Sequence, residues 1–319
     1  MKTEFNPSRW NGLSEQQFAV IRWEYEGEGS LELLARAGCG KTFTLMKGVD
    51  VIVEDKLGDV ALMAYNKKIA DELKHKLEQA GYDWRVAQAG TVHSFGFAAW
   101  MKVAPRVEID DKKLINIVRD LAYEPNNFVM QQAGGTVMKL CSLGKQRAIG
   151  HLCPIDDTLV WMGIFTHFGL ENDVTEDMDS FDIVRAAQRV YRISMNQCRD
   201  VIDFDDMILA ALVFRARFWP KDWILLDESQ DTNPARRALV LAMLKPRTGR
   251  MIFVGGDRQA IYGFTGADSD SMKQVKEATG VITLPLNVTR RCPKAVVAEA
   301  QLLVPDFTAH EDAPPGVVR

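Results

Sequence analysis

The stretch LELLARAGCGKTFTL, residues 31–45, places an apolar run, a glycine-rich loop and a Lys-Thr pair in direct succession. Ser30–Ala35 has the length and apolar content of a buried strand, so we predict a strand there. After the loop, Leu45, Val49 and Ile52 fall on one stripe of a predicted helix. A strand, a loop almost without side chains and a helix, in this order, predict a site that binds phosphate through its backbone.

The loop ARAGCGKT fits the phosphate-binding pattern GxxxxGK[ST], except that Ala35 occupies the first glycine position. Small residues let backbone N–H groups approach phosphate oxygens, and the following helix adds its N-terminal partial charge. We expect Lys41 to reach the β- and γ-phosphates of ATP and Thr42 to ligate Mg²⁺. The alternative is a tight turn with a solvated lysine. The other loop residues expected to contact ATP are Ala37, Gly38, Cys39 and Gly40.

A second segment, WILLDESQDTNP, carries two adjacent carboxylates at the end of an apolar run. Sites in open parallel sheets lie at the carboxyl ends of strands, which is where Asp227 and Glu228 would stand. We expect Asp227 to bind the magnesium ion and Glu228 to act as general base toward the attacking water. A surface acidic turn is the alternative, although the preceding apolar residues disfavour it.

A third segment, VGGDRQAIYGFTGA, again follows an apolar run with polar residues. Gln259 could contact both the γ-phosphate and the attacking water. Tyr262 and Phe264 offer flat faces on which nucleobases stack. Aromatic residues in a glycine loop often only pack, so this segment alone decides little.

Apolar strands that alternate with helical patterns predict an α/β fold with a parallel sheet between two layers of helices. Asn66 can cap a helix that Gly81 would terminate. The middle of the chain is mostly helical in pattern and is predicted to be an insertion into the α/β core. The expected divisions are 1–96 and 209–285 for the α/β core, 97–208 for the helical insertion, and 286–319 for the start of a second unit.

Composition sets weaker limits on function. The 319 residues carry 39 Lys and Arg against 43 Asp and Glu, a net charge of −4, which argues against indiscriminate coating of nucleic acid but permits a local basic groove. No apolar run approaches the length of a membrane span. Five cysteines without CxxC pairs suggest free thiols and a cytoplasmic location. CSLGKQRAIGHLC with His151 and His167 could form a metal site, but the cysteine spacing is atypical of zinc.

In this order the motifs resemble those of superfamily-one helicases of the UvrD/Rep/PcrA type, over nearly the whole chain. LSEQQ resembles the Q motif, ARAGCGKT motif I, LMAYNKKIADEL motif Ia and TVHSFG motif Ib. VIDFDDMI resembles the DF-x-D element, LLDESQDTN motif II, VGGDRQAIYGFTGA motif III and LPLNVTRRCP motif IV.

The resemblance implies a RecA-like P-loop NTPase fold and ATP hydrolysis with Mg²⁺, stimulated by single-stranded DNA. It also implies translocation and unwinding of tailed duplex DNA, with 3′-to-5′ polarity. Gln17 would read the adenine, and Arg291, with Arg290 as the alternative, would meet the γ-phosphate. His93 could instead be a hydrogen-bonded structural residue. The DNA contacts implied by the resemblance are Tyr65, Asn66, His93, Phe95, Tyr262 and Phe264.

The chain also departs from the family pattern. Phe264 and Thr265 stand where motif III usually has Trp-Arg, so weaker stacking is expected. Motifs V and VI do not follow motif IV, and with them would go an arginine finger and most of a second RecA-like domain. We therefore expect an N-terminal part of a helicase that further chain or a partner completes. The alternative is a nucleotide-dependent DNA- or protein-binding module without unwinding activity.

Overall fold

The computed structural model describes residues 5–173, 178–256 and 281–318 and centres on a six-stranded sheet. The strands are β1 Ser30–Ala35, β2 Val60–Ala64, β3 Ala87–Thr91, β4 Glu108–Ile109, β5 Val201–Ile202, β6 Trp223–Leu226, β7 Arg250–Gly255, β8 Val281–Leu286, β9 Val288–Thr289 and β10 Thr308–Ala309. The helices are α1 Glu15–Glu26, α2 Lys41–Glu54, α3 Lys67–Gln79, α4 Val92–Trp100, α5 Lys113–Ala122, α6 Phe128–Gln146, α7 Thr158–His167, α8 Ser180–Asn196, α9 Asp206–Val213, α10 Pro234–Met243 and α11 Lys294–Gln301.

The sheet runs in the order β3-β2-β6-β7-β1-β8, and every neighbouring pair is parallel. Both of its faces are covered, as the alternation along β2 shows. Val60 and Leu62 join one buried apolar cluster, while Ala61 and Met63 join another on the opposite face. A parallel sheet needs this two-sided cover. The predicted α/β class, a parallel sheet flanked by helices, is confirmed.

Two helices at the carboxyl edge of the sheet begin and end where local sequence signals place them. The backbone of Gly40 has φ +82°, and α2 begins at the next residue with Leu45, Val49 and Ile52 buried. The Asn66 side chain accepts a hydrogen bond from the Ile69 amide at 2.9 Å and caps α3. Beyond α3, Gly81 has φ +74°, the left-handed conformation that glycine tolerates best at a helix end.

The part between α4 and α9 is mostly helical, and α6 packs along α8 at its centre. Its core is continuous with one face of the sheet, because the apolar cluster that contains Ala61 and Met63 also contains Trp161 and Tyr191. Residue 97 lies within α4 and residue 208 within α9, so both predicted ends of the insertion fall inside helices. Among the helices of the described ranges, none has both the length and the apolar character that a bilayer crossing requires.

Candidate functional site

The loop between β1 and α2 is shaped by two glycines with positive φ, +73° at Gly38 and +82° at Gly40. A Cβ atom on Gly38 would lie 2.6 Å from both the Arg291 Cβ and the Thr289 Oγ1. Nothing larger than hydrogen fits there, because the segment after β9 packs directly on the loop. The Arg290 amide also donates a hydrogen bond to the Gly38 carbonyl at 3.2 Å. The loop thus presents its backbone as a cradle, and residues 289–291 pack against it and support it.

Lys41 lies opposite the acidic pair that follows β6. Its Nζ is 2.7 Å from each carboxylate oxygen of Glu228, and both side chains are largely withdrawn from solvent. Strands β1 and β6 are separated in the sheet by β7, and their carboxyl ends open at the same edge. The structure therefore brings together the two segments from which the sequence predicts a phosphate and metal site.

Glu228 is further fixed by Gln230, a residue to which sequence reasoning assigned no role. The Gln230 side-chain amide donates to Glu228 at 2.8 Å, and its carbonyl oxygen accepts from the Gly256 amide at 3.2 Å. Gln230 thereby connects the acidic pair to the end of β7. Its position in the quoted segment WILLDESQDTNP, two residues after the predicted base, was the signal that could have indicated it.

Asp227 is buried directly after β6, and its amide hydrogen-bonds to the Met63 carbonyl at 2.9 Å. Burial and the neighbouring charge of Glu228 raise the pKa of Asp227 to about 6. The same two causes raise the pKa of Asp231 to about 6. Burial disfavours the ionised form of this carboxylate, so a bound cation would stabilise it, which makes Asp227 a suitable ligand for a divalent metal.

The loop and the acidic pair enclose a cavity of about 470 Å³, within the usual range for small-molecule sites. Its residues fit a magnesium nucleotide. The backbone cradle suits phosphates, Lys41 supplies a cation, and Thr42 and Asp227 are oxygen donors of the kind Mg²⁺ prefers. The lining residues are Ala37, Gly38, Cys39, Gly40, Lys41, Thr42, Phe43, Ile69, Glu72, Asp227, Glu228 and Arg291.

The two remaining predicted nucleotide contacts, Arg291 and Gln17, both lie close to glycines of the loop. Arg291 lines the cavity, whereas Arg290 is absent from its lining and reaches the loop through its backbone. Gln17 is buried at the start of α1, where its side-chain oxygen accepts from the Ser14 amide at 3.1 Å in a capping box. Its amide nitrogen would lie 3.0 Å from a Cβ on Gly40, so Gln17 supports the loop from the side.

A second, larger groove of about 610 Å³ is lined by the N-terminal parts of α3 and α4. Its walls carry two ring contacts. The His93 ring stacks on Phe204 with centroids 4.0 Å apart, and the Arg236 guanidinium lies 4.7 Å from the centroid of Tyr65. Burial, aided by the charge of Arg236, lowers the pKa of His93 to about 3, so its ring is neutral at physiological pH. Asn66 is exposed at the groove edge, with its side chain engaged as the cap of α3.

The predicted nucleic-acid contacts divide between the groove and other places. Tyr65, Asn66 and His93 line it. Phe95 instead packs against the apolar core and borders a separate pocket beside Trp84. Sequence reasoning gave no contact role to Phe204 or Arg236. Phe204 stands in the quoted DF-x-D element and could have been found there.

Two groups of candidate residues remain. Gln259, Tyr262 and Phe264 lie outside the described residues. In the described ranges, Cys141, Cys153, His151 and His167 do not form a group of potential metal ligands. Cys141 is buried and its thiol hydrogen-bonds to the Ala187 carbonyl.

The parallel sheet, the glycine loop opening α2 and the acidic pair after β6 define an α/β P-loop protein. A family model described as the UvrD/REP helicase N-terminal domain matches residues 13–279. The chain belongs to this family, and the resemblance inferred from its motifs is confirmed.

Relatives among curated proteins agree with the family. DNA helicase IV of Escherichia coli K12 is 25% identical over 289 residues, which cover 78% of this chain and 41% of that protein. The ATP-dependent DNA helicase PcrA of Staphylococcus epidermidis is 24% identical, with coverage of 84% and 36%. The ATP-dependent DNA helicase UvrD1 of Mycobacterium tuberculosis is 26% identical, with coverage of 81% and 34%. The chain thus spans less than half the length of these relatives.

Proposed function

We propose that this chain is the ATP-binding part of a DNA translocase or helicase, moving 3′ to 5′ on single-stranded DNA and hydrolysing ATP with Mg²⁺. The observation that carries the proposal is the cavity shared by the loop at 37–42, Lys41 and the Asp227–Glu228 pair. The names of the relatives, which are ATP-dependent DNA helicases, support the same substrate classes. The groove beside the cavity supports a site for the DNA strand.

In this proposal the ion pair between Lys41 and Glu228 changes with nucleotide binding. Phosphate oxygens would compete with Glu228 for Lys41, and the released carboxylate could then accept a proton from the water that attacks the γ-phosphorus. Gln230 keeps that carboxylate oriented, because it stays hydrogen-bonded to β7. Thr42 and Asp227 would hold the magnesium ion, which neutralises charge on the phosphates when bound. Arg291 faces the same cavity and would add positive charge.

The division into units is part of the proposal. The α/β core, residues 1–96 and 209–285, would form a first RecA-like domain. The helical part, 97–208, would be an inserted subdomain, and 286–319 would begin a second RecA-like domain. The packing of the segment after β9 on the phosphate loop supports a nucleotide site at the junction of two such domains.

Replacing Lys41 tests the nucleotide site. We expect Lys41→Ala to abolish measurable nucleotide binding and turnover while the melting temperature stays near that of the wild type. Lys47→Ala is the matched control, because Lys47 lies on the same helix and pairs with Asp50 at 2.7 Å. Unchanged ATP hydrolysis in Lys41→Ala would refute the phosphate assignment.

Replacing Glu228 separates binding from chemistry. Glu228→Gln should retain nucleotide affinity and lose the hydrolysis step in single-turnover experiments, since it removes a base and not a phosphate ligand. Equal loss of binding and hydrolysis would contradict the role of base.

Unwinding assays on duplexes with a 3′ or a 5′ tail test the motor function and its polarity. Activity only on the 5′-tailed duplex would reverse the polarity. Nucleotide and strand binding without DNA-stimulated hydrolysis would favour a binding module over a motor.

A further inference from the structure

Arg236 lies in the wall of the groove, where its charge acts on the Asp231 carboxylate without forming a direct ion pair. It lies in the first turn of α10, where Asn233 caps the helix by accepting from the Arg236 amide at 2.9 Å. Its Nη1 donates to the Asp231 carbonyl at 3.3 Å, and its Nε is buried without a hydrogen-bond partner. No carboxylate of the described residues forms an ion pair with it. Apart from the hydrogen bond to Asp231, its side-chain donor hydrogens have no acceptor among the described residues.

The surroundings of Arg236 favour an anionic ligand. Its guanidinium lies over the Tyr65 ring, which orients the planar group without neutralising it. Among the described residues that line the groove, Lys67 and Lys74 stand against a single acidic residue, Asp71. His93 contributes no charge, since its ring is neutral at physiological pH. In a chain with net charge −4, this groove is locally cationic.

A purely structural role explains only part of this arrangement. The hydrogen bond to the Asp231 carbonyl uses one donor at a long distance. It explains neither the stacking of the guanidinium on Tyr65 nor the role of the remaining donors. A half-buried guanidinium with spare donors is costly unless a ligand completes its hydrogen bonds. A planar fork of donors matches two oxygens of a phosphate group.

We propose that Arg236 donates hydrogen bonds to a backbone phosphate of a nucleic-acid strand that lies in the groove, while its face stays on Tyr65. This inference rests on the proposed function, because the strand is the proposed substrate. It assigns to α10 a contact absent from the set implied by the family motifs. Since phosphates carry no sequence information, the contact positions the strand and does not select bases.

The test is the salt dependence of strand binding. We would measure the affinity of wild type, Arg236→Gln and Arg236→Lys for oligo(dT) and for a mixed-sequence strand, by fluorescence anisotropy over a series of NaCl concentrations. Loss of one phosphate contact should lower the slope of log K against log[salt] by about 0.7 in magnitude. The affinity of Arg236→Gln should fall about tenfold or more on both strands, and Arg236→Lys should recover part of the loss and most of the slope.

Arg119→Gln is the control, because Arg119 is an exposed arginine of α5 outside the groove. Nucleotide affinity and melting temperature of Arg236→Gln should match the wild type, which excludes misfolding. If affinity falls with an unchanged slope, or if neither changes, Arg236 is not a phosphate contact and the inference is overturned. If the wild type itself binds no strand, the proposed function fails, and the inference fails with it.

Discussion

Replacement of Lys145 by methionine should strongly destabilise the chain, because Lys145 is a fully buried cation in a network of four charges. Its Nζ pairs with Asp203 and lies 2.8 Å from Asp206. Lys113, also buried, contacts the other oxygen of Asp206 at 2.6 Å. Burial alone would lower the pKa of Lys145, but Asp206 and Asp203 raise it above its usual value, so the lysine is charged in the folded state. The network joins α5, α6 and the start of α9.

The size of the effect follows from the charges that remain. Methionine preserves most of the length and apolar surface of lysine but leaves Asp203 and Asp206 with one cation instead of two. Breaking a buried pair in this way costs about 3–5 kcal/mol. Lys139→Met is the matched control, since Lys139 lies on the same helix and pairs with Asp173 at 3.1 Å with both side chains about half exposed. An exposed pair contributes only about 0–1 kcal/mol.

Urea unfolding and thermal melting of the two variants test this difference. At about 2 °C per kcal/mol, the melting temperature should fall by roughly 6–10 °C for Lys145→Met and by no more than about 2 °C for Lys139→Met. Asp203→Asn, which keeps both lysines, provides a milder second variant if Lys145→Met does not accumulate as folded protein. Equal destabilisation of Lys145→Met and Lys139→Met, within about 1 kcal/mol, would refute the reasoning.

Three further predictions concern the site. Gly38→Ala should weaken nucleotide binding at least about tenfold, because its Cβ meets the segment after β9 and its φ is left-handed, whereas Gly135→Ala, whose Cβ meets nothing within 4 Å, should leave binding unchanged in the same titration. Affinity for the magnesium nucleotide should fall as pH drops through 6, because Asp227 then takes up a proton. Glu228→Gln removes the neighbouring charge that raises the pKa of Asp227, so the midpoint should move to lower pH. A midpoint that stays in place would contradict this role of Glu228. The pKa of His93 is lower in the folded protein than its unfolded value of about 6.5, so unfolding takes up a proton below pH 6.5 and stability is lost as pH falls. Between pH 7.5 and 5 the free energy of unfolding of the wild type, measured in urea titrations, should fall by about 2 kcal/mol more than that of His93→Gln. Equal losses in the two proteins would show that folding does not lower the pKa of His93.

The parts of the fold that sequence could predict are those specified by neighbouring residues. The strand at Ser30–Ala35 has the predicted bounds, and the cap at Asn66 and the left-handed Gly81 bound α3 as expected. Each of these depends on a few adjacent side chains and on backbone preferences. The parallel sheet followed from the same local units, because strands that are apolar throughout must be covered on both faces.

The contacts that sequence did not predict join residues far apart in the chain. Arg236 has the appearance of an ordinary helix arginine until the fold brings it over Tyr65. Phe95 was expected to contact DNA from its position in the motif; in the structure it packs against the apolar core and borders a pocket separate from the groove, so the DNA contact stays a prediction. Which face of a short helix meets a groove depends on its packing partners, and for α4 these come from segments far away in the chain.

The buried network also connects the helical part to the groove. Asp203 and Asp206 close one turn, since the Asp206 amide donates to Asp203 at 3.0 Å and the Asp203 amide to Asp206 at 3.2 Å. Phe204, inside that turn, carries the ring stacked on His93. The carboxylates that Lys145 neutralises therefore determine where one wall of the groove lies.

We accordingly expect Lys145→Met to weaken strand binding at a temperature well below its melting point, although Lys145 is not among the described residues that line the groove. Lys139→Met removes the same charge from the same helix and should bind as the wild type does, so a difference between the two variants cannot arise from net charge. Anisotropy titrations at 15 °C on both variants, with circular dichroism to confirm that each is folded, measure the effect. If folded Lys145→Met binds the strand as tightly as Lys139→Met, the turn keeps its position without the network, and the helical part and the groove are energetically independent.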